Sequence, residues 1–235
     1  MIEYIGKCIV VNENGKKILV IGDLHIGYEA SLNASGIFVT RTLVEESLKD
    51  IEEIYAKTGE VNKVILLGDL KHTFGRILKE EWDGIRELIN LLRKISKKII
   101  VIKGNHDVLT DIIADKIGFE VKEYYIEGEN AFIHGDKDFN EIWEKNVKNI
   151  ILGHIHPAVN ISDSTKTEKY KCFLEGEYKK KKIFVVPSFI SANEGTDPRD
   201  FEADLPWNVN LNKFKVIVIG ENLKNFDFGK LENIK

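Results

Sequence analysis

The stretch IIVIKGNHDV, residues 99–108, runs four branched aliphatic residues through a lysine into Gly104, Asn105, His106 and Asp107. A short β-branched run of this kind reads as a strand buried on both faces. Buried polar groups are costly unless something satisfies them. An amide, an imidazole and a carboxylate directly behind such a strand therefore mean either a turn of well-paired polar residues or a chemical site.

The pattern recurs along the chain. Apolar blocks appear at CIVV (8–11), ILVIGD (18–23), VILLGD (64–69), AFIHGD (131–136), NIILGH (149–154), IFVVPS (183–188) and KVIVIG (215–220). NENG (12–15) reads as a hairpin turn between the first two. Helical patterns lie between several blocks. TLVEESLKDIEEIYAK (42–57) lines up Leu43, Ser47, Ile51 and Ile54, and EEWDGIRELINLLRKI (80–95) lines up Trp82, Ile85, Leu88, Ile89 and Leu92. Strand–helix–strand alternation in the first half predicts an α/β fold. The part after residue 156 is strand-rich, with YKCFLEGEYKKKKIFVVPSF reading as a hairpin around a Glu-Gly-Glu turn. No linker, repeat or low-complexity tract interrupts the chain, so one domain over 1–235 is expected. Its architecture is expected to be two mixed β-sheets packed face to face and flanked by helices, a four-layer αββα sandwich.

Composition narrows the class. Hydrophobic residues make up 43% and charged residues 31%, which suits a globular protein with a sizeable core. The net charge of −4 gives no global attraction for nucleic acid or an anionic membrane, so a polyanion would need a local positive site. Cys8 and Cys172 are far apart and read as buried thiols in a reducing compartment. MIEYIGKCIV lacks the features of a signal peptide and no apolar run is long enough to span a bilayer, so the cytoplasm is expected.

Polar clusters follow five of the blocks: GDLHIG (22–27), GDLKH (68–72), GNHD (104–107), HGD (134–136) and GHIH (153–156). Ligands of α/β sheets bind beyond the carboxyl ends of strands, so five such ends could share one crevice. All six histidines, His25, His72, His106, His134, His154 and His156, lie in these clusters beside Asp23, Asp69 and Asn105. Carboxylate, imidazole and amide oxygen without thiolate suit Mn²⁺, Fe, Ni²⁺ or Zn²⁺ rather than a structural zinc site. The groups are too many for one metal and suit two, which can clamp a phosphate and activate water at neutral pH.

These motifs resemble the calcineurin-like metallophosphoesterase superfamily, whose pattern is DxH, GDxx, GNH[DE], a lone His and GHxH in this order. The resemblance runs over residues 23–156 and implies the two-sheet fold with two divalent metals, Mn²⁺ foremost. It implies one metal on Asp23, His25 and His156, the other on Asn105, His134 and His154, and Asp69 between them. It leaves His106 facing the scissile phosphate, with His72 orienting it or sharing its work. DLHIGYE (23–29) and GDLKH (68–72) resemble the SbcD/Mre11 nuclease branch, because phosphoprotein phosphatases carry an Asp at the position of His72. That branch continues into a capping domain, whereas 79 residues follow His156 here and are expected to form closing strands.

The expected activity is metal-dependent phosphodiester hydrolysis, with nucleic acid or a nucleotide as substrate. The alternatives are a hydrolase of small nucleotides or phosphomonoesters, and a metal-binding scaffold without catalysis. The oligomeric state is open, a homodimer included. Asp107 is expected either to support His106 or to cap a helix over 108–116. Lys71, Arg76 and Arg41 could hold phosphates, against a reading as solvated surface charge. KKKK (179–182) reads as a solvated guard on an edge strand, and Trp82, Trp143 and Trp207 as core.

Overall fold

The structure, a computed structural model, describes residues 1–163, 165–200 and 203–234. Its first sheet contains β1 (Ile2–Ile5), β2 (Cys8–Glu13), β3 (Lys16–Ile21), β4 (Lys63–Leu66), β5 (Ile99–Ile102) and β6 (Glu120–Lys122) in chain order. β1–β2–β3 are antiparallel, with Asn14-Gly15 as the β2–β3 turn, and β3 to β6 run parallel. The crossovers carry α1 (Tyr28–Ala34), α2 (Leu43–Thr58), α3 (Lys79–Ile95) and α4 (Thr110–Ile117). The apolar stripes of α2 and α3 bury Ile51, Ile54, Ile85, Leu88 and Leu92 against the outer face of this sheet.

The second sheet adds β7 (Tyr124–Glu127), β8 (Asn130–Ile133), β9 (Asn149–Leu152), β10 (Ala158–Ser162), β11 (Thr167–Tyr178), β12 (Lys181–Val185), β13 (Lys215–Ile219) and β14 (Asn225–Lys230). Its order is β14-β13-β11-β12-β9-β8-β7, with β10 paired to β11. The two sheets face each other across Ile9, Val20, Ile65 and Ile100 on one side and Phe132, Phe173 and Phe184 on the other. This is the mixed two-sheet sandwich expected from the strand blocks. Helices cover the first sheet. On the outer face of the second, 3₁₀ turns take their place, and Trp207, Leu211 and Phe214 are buried there with Trp143 packed beside them. Cys8 and Cys172 are buried and free, as expected.

The expected Glu-Gly-Glu turn is corrected. Glu175, Gly176 and Glu177 lie inside β11, and the chain reverses at Lys179 and Lys180, both with positive φ. Gly176 is there for space: a Cβ would sit 2.3 Å from the Phe214 ring. The lysine run is not an edge guard either. β12 is an interior strand between β11 and β9, and Lys181 is buried with its ammonium on the carbonyls of Glu144 and Val147. The strands β1, β6, β7 and β14, all at sheet edges, were not marked by continuous apolar runs, because their residues are largely half-exposed or, in β14, exposed.

Candidate metal centre

β3, β4 and β5 are neighbours in one sheet and β8 and β9 in the other, so their carboxyl ends open on the same edge of the sandwich. Asp23 and His25 follow β3, Asp69 and His72 follow β4, and Asn105 and His106 follow β5. His134 follows β8, and His154 and His156 follow β9. The loops are tied together: the His25 N–H donates to the Asp69 carbonyl at 2.8 Å and the His106 N–H to Asp69 Oδ1 at 2.9 Å. The approach leaves no room for side chains at the glycines of the motifs. A Cβ on Gly104 would meet Asp69 Oδ1 at 2.3 Å, and one on Gly153 would meet Asp23 Oδ2 at 2.4 Å.

The clustered residues form two groups. In one, Asp23, His25 and His156 converge. His156 Nε2 lies 3.4 Å from Asp23 Oδ1 and 3.4 Å from His25 Nε2. In the other, Asp69, His134 and His154 converge, with His134 Nε2 at 3.1 Å from both His154 Nδ1 and Asn105 Oδ1. Asp69 Oδ2 stands between the groups, 3.7 Å from His25 Nε2 and 3.6 Å from His134 Nε2. All seven residues expected to ligate metal are therefore together. His25, His72 and His106 form a third, neighbouring group. Within it, His106 Nδ1 is 2.5 Å from the His72 carbonyl, and the His72 ring stacks at 5.4 Å.

Four of the seven, His25, Asp69, His154 and His156, have φ between 42° and 70°. Left-handed backbone costs a non-glycine residue on the order of 1–3 kcal/mol, and it persists where the surroundings force it, commonly at functional sites.

The donor set fits divalent cations. Several imidazole nitrogens point at one another across distances that a cation between them would reconcile. The Nδ1 of His134 lies 2.8 Å from the Leu67 carbonyl, so that nitrogen carries the proton and Nε2 is left with its lone pair. Asn193 acts on His156 in the opposite sense: its oxygen accepts from the Gly195 N–H, so its amide nitrogen donates to Nδ1 at 2.7 Å and the neutral ring carries its proton on Nε2, facing Asp23. Burial pushes the Asp69 carboxyl up to about 7, the Asp23 carboxylate adding to the push, against His134 and the His106 N–H. A bound cation would reverse that push. Burial also holds His25 neutral, down to about 3, with neighbouring imidazoles adding to the effect. Asp23 moves the other way. Burial would raise it, but His156, His134 and His25 hold it below the usual carboxylate range.

The chemistry of the motifs extends into one residue the sequence did not single out and gives others a different part than expected. Glu81, fully buried on α3, accepts from the N–H groups of His72, Thr73 and Leu78 at 3.1, 2.6 and 2.8 Å. Lys71 is also fully buried, with its ammonium on the Thr73 carbonyl, so it is neither a phosphate ligand nor a solvated charge. Arg41 is exposed and pairs with Glu80 at 2.8 Å, and Arg76 is exposed. Asp107 neither touches the His106 ring nor caps α4. It is fully buried and accepts from the N–H groups of Leu70, Lys71 and Gly104 and from the Thr110 hydroxyl, stitching the GDLKH loop to the GNHD loop. A cleft of about 250 Å³ opens beside His154 and His156, walled by Ile155, Thr196, Pro198 and Ala203.

A sequence model of the calcineurin-like phosphoesterase family matches residues 16–221, a span that contains every motif of the site. The chain belongs to that family. It is accordingly a metal-dependent phosphoesterase. No curated protein matches the sequence. Among solved structures, a nuclease MPE from Pseudomonas putida superposes with a TM-score of 0.63 at 15% identity, covering 94% of this chain and 100% of its own, and shares the fold. The phosphoesterase YfcE from E. coli, at 0.44 and 14% identity over 91% and 97%, is a looser superposition. Vps29 from Entamoeba histolytica with Zn²⁺, at 0.40 and 16% over 90% and 99%, is looser again. Among the described residues, no helix is long and apolar enough to cross a membrane.

Proposed function

We propose that this phosphoesterase hydrolyses phosphodiesters of nucleic acid or nucleotides at a centre of two divalent cations, Mn²⁺ foremost. The observation that carries the proposal is Asp69 Oδ2, within 3.7 Å of an imidazole from each ligand group. Asp23, His25 and His156 would hold one cation and Asn105, His134 and His154 the other, with Asp69 shared. Cations so held would acidify the attacking water and neutralise charge on the phosphoryl oxygens.

His106 and His72 are the residues proposed to act on the substrate. The His106 ring is fixed at Nδ1 by the His72 carbonyl, which leaves Nε2 turned toward the metal ligands, 3.9 Å from Asp69 Oδ2. With Nδ1–H on that carbonyl, Nε2 carries a proton only in the imidazolium form, which burial disfavours and the His72 carbonyl favours. That form would pass the proton to the departing ester oxygen or hydrogen-bond the oxyanion, a contribution of about 10²–10⁴ in rate. The His72 imidazole, stacked behind it, keeps the ring in that plane. A histidine at this position, as in the SbcD/Mre11 branch, favours the diesterase reading over a monoesterase. We read residues 1–235 as one domain acting in the cytoplasm.

His106→Asn, loaded with Mn²⁺, tests the assignment. Two metals per chain by elemental analysis and turnover at least about 100-fold below wild type are expected. Near-wild-type rates would remove His106 from the reaction. A parallel panel of bis(p-nitrophenyl) phosphate, p-nitrophenyl phosphate and single-stranded DNA decides the ester class. Faster hydrolysis of the monoester than of both diesters would overturn the diesterase reading.

A further inference from the structure

Residues 72–78 carry an arrangement that the metal centre does not require. Two fully buried charged side chains spend their charges on this one loop: Glu81 on the N–H groups of His72, Thr73 and Leu78, and Lys71 on the Thr73 carbonyl. Burying charge is costly, and pinning backbone with it makes that loop rigid. What the rigid loop displays is Phe74, 54% exposed. Its ring centroid stands 3.8 Å from that of His106, at an interplanar angle of 37°. His106 thus packs against both His72 and Phe74, and the rest of the Phe74 ring is left exposed beside the imidazole. Arg76, exposed and in no ion pair among the described residues, adds a cation two residues further on.

An exposed phenyl ring gains nothing by facing water, and a loop pinned this firmly could have tucked it away. An aromatic face on a rigid support, beside His106 and two residues in sequence from an exposed arginine, matches the recurrent way single strands are gripped. Bases stack on aromatic rings and the backbone phosphates lie against cations.

We infer that Phe74 is a stacking platform for the base next to the scissile phosphodiester of a single-stranded nucleic acid, with Arg76 on the neighbouring phosphate. The inference deepens the proposed diesterase reading and rests on it for the position of the scissile bond. Because Phe74 touches His106 from outside the two ligand groups, it determines which esters are held rather than how the bond is broken.

The test separates base from phosphate. Two fluorescein-labelled, phosphorothioate-linked octamers with equal charge, one of thymidine and one abasic, are titrated with the protein by fluorescence anisotropy. The wild type should bind the thymidine octamer about tenfold or more tighter than the abasic one. Phe74→Ala should lose that preference with abasic affinity unchanged, and Phe74→Trp should keep it. Arg76→Ala should weaken both octamers alike. If Phe74→Ala weakens both octamers equally, the ring merely props His106 and the inference is wrong. If it tightens thymidine binding, Phe74 covers the site, and the inference is again wrong. Hydrolysis of thymidine 5′-(p-nitrophenyl phosphate) by the wild type is followed separately. A base preference that depends on Phe74, without any hydrolysis of that ester, would sustain the platform and overturn the diesterase reading.

Discussion

Asp107 offers a quantitative test of how the site is held together. Its Oδ1 accepts from the Thr110 hydroxyl at 2.8 Å, the Leu70 N–H at 3.1 Å and the Lys71 N–H at 3.4 Å, and its Oδ2 accepts from the Gly104 N–H at 3.0 Å. The group is wholly buried. Asp107→Ala orphans at least the Leu70 and Gly104 N–H groups. At about 1–3 kcal/mol for each buried unsatisfied donor, the loss is on the order of 2–6 kcal/mol. Asp107→Asn keeps the shape. One amide oxygen can still serve Thr110 and Leu70, but the amide nitrogen then confronts the Gly104 N–H. Burial pushes the Asp107 carboxyl up, so removing its charge returns part of that loss, and a net of about 1–2 kcal/mol is expected. Urea unfolding followed by tryptophan fluorescence reads the difference as a shifted midpoint at constant slope, about 1 M or more for Ala and less for Asn. Because Asp107 joins the loop of Asp69 to the loop of Asn105 and His106, both variants should also lose turnover. Midpoints for both within about 0.2 M of wild type would refute the claim that this carboxylate joins the two loops.

Other perturbations probe neighbouring parts of the argument. Asp69→Asn should weaken loading of both Mn²⁺ ions, measured by elemental analysis after gel filtration, and two metals per chain in that variant would contradict the shared position. Glu81→Gln sets an amide N–H₂ against a backbone donor of the 72–78 loop. It should cost about 1–2 kcal/mol of stability and lower kcat more than KM, since the His72 carbonyl that holds His106 shifts with the loop. Lys171, with its ammonium on the carbonyls of Ser188 and Ile190, is pushed by burial from an ordinary 10.5 down to about 7, so above pH 7 the unfolded chain binds a proton that the folded chain does not. Its contribution to stability therefore rises with pH. The wild type should gain on Lys171→Met in urea midpoint between pH 7 and 9, and a pH-independent difference would show that the amine titrates normally.

The strands at the centre of the sandwich and the cluster of chemistry at their ends are legible from sequence for one reason. A strand buried on both faces must be apolar throughout, so the polar residues that end it stand out: Asp23, Asp69, Asn105, His134 and His154 each follow such a run. α2 and α3 were legible because one stripe of each is buried and the opposite face is solvated, whereas α1, which buries only Ala30, was not. Strands such as β1 and β14 were not, because half-exposed or exposed residues carry no continuous apolar signal. Gly176 misled the reading of the hairpin because a glycine that makes room for Phe214 looks the same in sequence as one that turns the chain.

The sequence alone therefore determined the order of the central strands and of α2 and α3, the kind of atoms offered at five strand ends, and the family that shares this order. It could not determine which charges lie in water. Lys71, Glu81 and Asp107 are ordinary charged residues in sequence, and only the packing of α3 and of two loops from neighbouring strands buries them and turns them into struts. Nor could it bring Asn193 to His156 or Phe74 to His106. Those meetings depend on how segments distant in sequence or irregular in backbone are packed against the sheets, and the burial of a polar group, which sets its partners and its protonation, exists only once that packing is complete.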